Sequence, residues 1–295
     1  MAALALQPGQ VVADLGAGHG YFSYRFAKAI GPLGKVLALD VSAEYLAINQ
    51  RVADMFSLDN LETRVVPPDD PQLKPGEADV IFVSYTWQFL DDRIHYATLL
   101  RNALDNDGLL AVLGLEIPGV SHEKSDKTYR WTNRQEVWRE AEAGGLQLSA
   151  DHRSLRNQFY LFFHPGQSPL FDQIPGFTYL TSNLAIGISI PDSTGFEALR
   201  ARGFRQILDL RRNLSGRSSG SVGGLKQVRV SPDEFAARDS LAASLNDMDF
   251  GITYAFSDSL TEAAMFILSA CESGFYRMSP FDFDHLYDVA HPIRK

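Results

Sequence analysis

One cysteine, Cys271, stands in the whole chain, so no intrachain disulfide framework is available to it. The seven histidines never fall at a metal-ligand spacing with that cysteine or with one another, and no metal is expected. Basic residues are the minority, 27 against 36 acidic, for a net charge of -9. The chain thus lacks the overall basicity that favours nucleic-acid backbones or anionic membranes, although a local basic patch remains open. Long apolar runs are missing as well. The N-terminal MAALALQPGQ has no basic leader and too short an apolar stretch for a signal peptide, and no uninterrupted span approaches the length a bilayer needs. A cytoplasmic location follows as the expectation. What is present is apolar material for a core: 45% of the 295 residues are hydrophobic, and the length suggests two domains of ordinary size.

Strand-like runs alternate with helical patterns in two series. The first comprises VVADLG (11–16), a helix from about Phe22, KVLALDV (35–41), a helix over 42–57, TRVV (63–66), ADVIFVSY (78–85), a helix over 92–105 and GLLAVLGLEI (108–117). A helix near 133–143 follows, capped by Thr132 or Asn133, and then LQLSADHRS and QFYLFFH, which read as an antiparallel hairpin at a sheet edge. Residues 165–176, rich in proline and glycine, read as a linker. The second series comprises LAIGISI, the helix PDSTGFEALRARG, FRQILDLR, a glycine- and serine-rich loop over 213–224, LKQVRV, a helix from Ser231, FGITYAF, a helix over about 260–273 and a last helix from Pro280. Strands and helices in this order predict an α/β chain of two doubly wound domains, each built on a mostly parallel sheet.

The chemistry of the first half sits at its first strand-to-helix turn, Asp14-Leu-Gly-Ala-Gly-His-Gly-Tyr-Phe22. Gly16, Gly18 and Gly20 permit a tight turn and close backbone approach to a ligand, and the next helix N-terminus favours polar or anionic groups. Asp40 ends the following strand, where a carboxylate can accept both hydroxyls of a ribose.

This stretch resembles motif I of class I S-adenosylmethionine-dependent methyltransferases, an acidic residue followed by Gly-x-Gly-x-Gly. The resemblance spans residues 6–164 and implies a Rossmann-like methyltransferase domain over 1–164 with S-adenosyl-L-methionine as cofactor. The residues it implies for cofactor binding are Asp14, Gly16, Ala17, Gly18, Gly20, Asp40, Val41, Asp69, Ser84 and Tyr85, with Asp69 placed toward the adenine amino group. The chain departs from the family in two places. Related bacterial methyltransferases carry an Asp and paired histidines after the fourth strand; Tyr85, Trp87, Gln88 and Phe89 stand there instead, and no general base is evident. Motif I also begins only at Asp14, so the upstream helices that often cap the substrate pocket are expected to be absent. The loop from Pro118 to Asn133 carries His122, Lys124, Lys127, Tyr129, Arg130 and Trp131; it reads more simply as a solvated connection than as an acceptor site.

In LSACESGFYRMSP, Cys271 precedes Arg277 by the spacing of a cysteine-phosphatase loop. From Tyr179 onward the order of elements resembles the dual-specificity-like phosphatases, which implies a smaller phosphatase-like α/β domain over 177–295. In that fold the nucleophile directly follows the last parallel strand, here FGITYAF. The register then places Phe256-Ser257 where His-Cys belongs, Leu260 at the loop glycine and Glu262 or Ala263 at the arginine, so the resemblance implies a domain without phosphatase chemistry. Residues 261–273 are helix formers ending at Gly274, which puts Cys271 in a last helical turn. Ser279, Pro280 and Asp282 start the next helix too late for Arg277 to close a loop. Ser231-Pro-Asp-Glu234 reads as a capping box in preference to a general acid at Asp233.

Three functions are consistent with these readings. The first is a methyltransferase of unknown acceptor with an inactive phosphatase-like accessory domain. The second is a non-enzymatic interaction protein or subunit of a larger complex, and the third an active phosphatase, which requires the register to be wrong.

Overall fold

The computed structural model describes residues 2–116, 132–152, 157–167, 170–181, 184–188, 191–211, 219–229 and 253–257. The chain divides into two compact units, Met1–Gln167 and Ser168–Lys295.

The first unit is a Rossmann-like α/β fold on a mixed sheet. Its strands are β1 (Val11–Leu15), β2 (Lys35–Asp40), β3 (Leu61–Val65), β4 (Ala78–Ser84), β5 (Leu104–Leu115), β6 (Leu146–His152) and β7 (Gln158–Pro165), in the spatial order β3-β2-β1-β4-β5-β7-β6. The first five pair in parallel, while β7 runs antiparallel between β5 and β6. The hairpin expected at the edge is therefore present, with its second strand inserted inside its first. Helices α1 (Ser23–Ile30) and α2 (Ala43–Met55) cover one face; α3 (Arg93–Ala103) and α4 (Arg134–Ala143) cover the other. Both faces being buried, the strands are apolar on both sides: Val12, Val36, Ala38 and Phe82 pack with Phe26 and Leu46, whereas Ala13, Leu37, Leu39 and Ile81 pack with Leu100 and Val137.

Local chemistry sets the helix starts. The side chains of Ser42, Asp92 and Asn133 accept hydrogen bonds from the amides of Tyr45, His95 and Glu136, each three residues ahead. Asn133, not Thr132, is thus the cap of α4. The fifth strand begins earlier than expected, at Leu104. That residue pairs with Ala78 while Val80 pairs with Leu109, so a bulge absorbs Asp105-Asn-Asp-Gly, whose first residue is expected from sequence to end the helix and whose last to start the strand.

The second unit holds β8 (Thr178–Thr181), β9 (Leu184–Gly187), β10 (Gln206–Asp209), β11 (Ser219–Val222), β12 (Leu225–Arg229) and β13 (Thr253–Phe256), in the order β11-β12-β10-β13-β9-β8. Strands β12, β10, β13 and β9 run parallel, flanked by antiparallel edges. Helix α6 (Ser193–Ala201) is capped by the Asp192 carboxylate, which accepts from the Gly195 amide. Ser219–Val222 lies within the stretch expected as a loop. It forms a strand because Gly223 and Gly224, at φ 56° and 78°, make the two-residue turn that folds it back on β12. Within residues 165–176, Leu170–Gln173 form one helical turn, α5, and Leu170 and Ile174 are fully buried. Cys271, Arg277, Gly274, Leu260, Glu262, Ala263, Ser231, Asp233, Ser279, Pro280, Asp282 and the loop bearing His122 through Trp131 lie outside the described residues.

Candidate functional site

In the first sheet the strand order reverses at β1, whose neighbours are β2 and β4. A crevice opens at the carboxyl ends of strands at such a switch point. Three segments converge there: the glycine turn after β1, Asp40 at the end of β2, and Ser84-Tyr85 at the end of β4.

The turn is tied down by backbone. The amides of Gly16 and Ala17 both donate to Leu39 O, at 2.8 and 3.0 Å. The Gly18 amide donates to Asp40 Oδ2 and the Ser42 amide to Asp40 Oδ1, both at 2.9 Å. Asp40 thus holds the glycine turn on one side and the start of α2 on the other. Each carboxylate oxygen retains a second lone pair, so the ribose-binding role expected of Asp40 is chemically open.

Two glycines have distinct reasons to be glycine. Gly16 has φ 71°, and a Cβ on it would fall 2.0 Å from Thr86 Oγ1. The loop after β4 occupies that space. Gly18 has φ 52°, and a Cβ there would meet nothing within 4 Å. The middle of the turn therefore fronts an open cradle with a carboxylate at its rim, which fits an adenosyl cofactor.

Asp14 lies beneath the turn on the α1/α2 face. Its Oδ2 accepts from the Ser23 hydroxyl at 2.6 Å, and Ser23 Oγ accepts from Asn49 Nδ2 at 3.1 Å. Burial raises its pKa from 3.8 to about 7; the Ser23 hydrogen bond opposes that shift and the nearby Asp40 charge adds to it.

Of the other sequence-predicted residues, Ala17 is buried in the turn, and Val41 is exposed just beyond Asp40. Asp69 is exposed on the segment leaving β3, close enough to Tyr96 that its charge contributes to raising that phenol's pKa, after burial itself and Asp70. Ser84 and Tyr85 are half-buried at the switch point. Tyr85 has φ 54°, an uncommon conformation for an aromatic residue, and burial raises its phenol pKa. Trp87 leaves the crevice: it is 2% exposed in the α3/α4 core, with Nε1 donating to Glu140 Oε2 at 2.8 Å. Arg93 Nε donates to Glu140 Oε1 at 2.8 Å, and Arg93 Nη2 to Glu136 Oε1 at 3.0 Å. Burial disfavours the Arg93 charge, but Glu140 and Glu136 outweigh it and its pKa is raised. Ser23, Asn49, Thr86 and this charge cluster are absent from the sequence reading. Only Ser23 carried a local signal, as a small polar residue opening the helix after the glycine turn.

Residues 13–110 match the protein family described as "Methyltransferase domain". S-adenosyl-L-methionine is the cofactor implied by that domain. Among solved structures, a SAM dependent methyltransferase from Aquifex aeolicus is similar at 21% identity over 54% of this chain and 84% of that one, with a TM-score of 0.49. A putative sarcosine dimethylglycine methyltransferase from Galdieria sulphuraria is similar at 12% identity over 57% and 84%, with a TM-score of 0.49. A TehB-like SAM-dependent methyltransferase from Corynebacterium glutamicum is similar at 16% identity over 56% and 84%, with a TM-score of 0.44. No curated protein matches the chain significantly.

Proposed function

We propose that the first unit binds S-adenosyl-L-methionine in the crevice between the ends of β1 and β4 and transfers its methyl group to an acceptor that the chain's own residues orient. The observation that carries this reading is the open cradle at Gly18, with the Gly18 amide bonded to Asp40 at its rim. The residues assigned to the cofactor are Asp14, Gly16, Ala17, Gly18, Gly20, Asp40, Val41, Asp69, Ser84 and Tyr85.

The cofactor supplies an electrophilic methyl group on a sulfonium, so the chemical step is an in-line displacement in which positioning and exclusion of water do much of the work. The side chains from Ser84 to Phe89 include no carboxylate, imidazole or amine that would accept a proton from the acceptor. That composition suits an acceptor that is already nucleophilic, such as a thiolate. Asp40 orients the ribose; the glycine turn lets backbone approach the ligand; Tyr85 walls the crevice at the end of β4.

The second unit is read as a phosphatase-like accessory domain that has lost its catalytic loop. Support comes from the position of β13 between β9 and β10 in the parallel part of the sheet, with Ser257 next in the chain. Among the described residues no helix is long and apolar enough to cross a membrane, and the reading places the protein in the cytoplasm. A second reading, a non-enzymatic subunit of a larger complex, draws on the segment after β4: Trp87 is spent on the core, and Ser84 to Phe89 contain no carboxylate or imidazole. Calorimetric titration with S-adenosylmethionine and its demethylated product separates the two. Micromolar binding supports the enzyme reading, whereas no measurable heat for either ligand removes it.

A further inference from the structure

At the end of β4 the chain changes faces within three residues. Tyr85 packs against the α1/α2 core, and Trp87 is inserted into the α3/α4 core. Between them, Thr86 fills the space above Gly16, its hydroxyl donating to Ser84 O at 3.1 Å. Tyr85 is left in the left-handed region, and an aromatic residue stays there only where its surroundings over-determine the conformation.

Those surroundings are identifiable. The Tyr85 amide donates to Leu113 O at 2.8 Å, and the Leu90 amide to Trp87 O at 3.2 Å, closing a short 3-10 turn. The Phe89 amide donates to Thr86 O at 2.9 Å, and a further restraint is the indole. Its N–H meets one oxygen of Glu140, while the other oxygen takes Arg93, which in turn reaches Glu136. All four groups are buried. Packing alone would seat a tryptophan against Leu100 and Val137; a charge-assisted hydrogen bond to a carboxylate that is itself pinned by a guanidinium fixes its rotation as well.

We infer that Trp87, locked by Glu140 and Arg93, is the positioning residue of the cofactor crevice: it holds Thr86 against Gly16 and Tyr85 at the wall that the ligand meets. This rests on the S-adenosylmethionine reading above, so the test has one arm that needs no ligand. Hydrogen exchange is followed in the ligand-free full chain for wild type, Trp87→Phe and Glu140→Gln. The Tyr85 amide is expected to exchange about tenfold faster in both variants, with the Val83 amide inside β4 unchanged. If Glu140→Gln does not fold, Trp87→Phe carries the test, because it leaves the Arg93–Glu140 pair in place.

In the second arm, S-adenosylhomocysteine is titrated into the same proteins, and both variants are expected to bind about tenfold more weakly than wild type. Unchanged Tyr85 exchange in a folded Trp87→Phe overturns the inference whatever the ligand does. Faster exchange with unchanged affinity overturns the link between this loop and the crevice. Faster exchange in a protein whose wild type takes up no S-adenosylhomocysteine overturns the cofactor reading, and leaves Trp87 as the residue that positions the loop.

Discussion

The Ser23 hydroxyl donates to Asp14 across 2.6 Å, and the acid that accepts it is 2% exposed beneath the glycine turn. A carboxylate so placed is poorly solvated, and its pKa rises from 3.8 to about 7. The folded protein therefore keeps a proton that the unfolded chain releases between those two values. Stability contributed at this position is highest below the unfolded pKa and falls as pH rises through the folded one.

Asp14→Asn removes that dependence while retaining an oxygen for Ser23. Denaturant unfolding at several pH values is expected to show the variant more stable than wild type at pH 8, by up to about 4 kcal/mol, with the gap closing toward pH 4. A gap that does not narrow on acidification would mean that Asp14 does not hold the proton.

Thr86 and Gly16 exclude one another's side-chain space, and that contact is testable by a double-mutant cycle. Gly16→Ala places a Cβ against Thr86, with Thr86 Cβ itself only 2.8 Å away, so Thr86→Ala is not enough to relieve it. Thr86→Gly is. We expect Gly16→Ala to destabilise by several kcal/mol and Thr86→Gly to recover about 1–3 kcal/mol of that loss, the remainder being left-handed strain on alanine. Additive effects of the two substitutions would place the loop elsewhere.

The cluster at Arg93 shows where sequence stops being informative. The alternation of strands and helices, the helix starts at 42 and 92, and the glycine turn facing Asp40 are local patterns, legible because a few neighbouring residues dictate each. In RQEVWREAEA the period of apolar residues describes a surface helix, yet Glu136 and Glu140 point into the protein to meet Arg93, 43 and 47 positions away. No local pattern encodes that partnership. Trp87 reads from sequence only as one of the residues standing where the resembled family carries an Asp and paired histidines, for the same reason: its destination depends on the opposite face of the sheet. Strand β11 was hidden differently: its serine and glycine have weak strand propensity, and only the turn at Gly223 and Gly224 together with the partner strand supplies the pairing.

Breaking that cluster is expected to be severe. Arg93→Met leaves the Glu136 and Glu140 carboxylates without the guanidinium between them, and removing one partner of a buried ion pair typically costs about 3–5 kcal/mol. Thermal unfolding should show the loss directly. It should shrink in the Arg93→Met, Glu140→Gln double variant, where Glu140 no longer brings a buried charge that has lost Arg93; a larger loss in the double variant would contradict this account.

Asp40→Ala is expected to weaken S-adenosylmethionine binding by about 2 kcal/mol, through loss of a charge-assisted acceptor and of the anchor for the Gly18 amide. Gly18→Val should weaken it further. A Cβ at this position meets no protein atom within 4 Å, so the effect on folding is expected to be mainly left-handed strain of about 1–2 kcal/mol while the cradle is filled. Calorimetry beside thermal unfolding separates the two contributions. Normal affinity in both variants would move the cofactor to another site.

The second unit yields a negative prediction. Ser257 directly follows β13, is 1% exposed, and donates its amide to Gly187 O at 3.3 Å. A nucleophile at that position would need a thiolate, and a thiol introduced there by Ser257→Cys would be desolvated, with its pKa raised and its reactivity low. Asp209, fully buried at the end of the adjacent β10, adds a negative charge nearby, although Arg211 and Arg229 partly offset it. The wild-type protein is therefore expected not to hydrolyse p-nitrophenyl phosphate, and Ser257→Cys alone should not confer hydrolysis, because no arginine follows at the loop position to stabilise the transferring phosphoryl group. Cys271→Ser should alter neither that background nor the unfolding midpoint appreciably. Hydrolysis by wild type that disappears in Cys271→Ser would overturn the assignment, since it would make Cys271 and Arg277 the working loop and β13 a strand with no part in it.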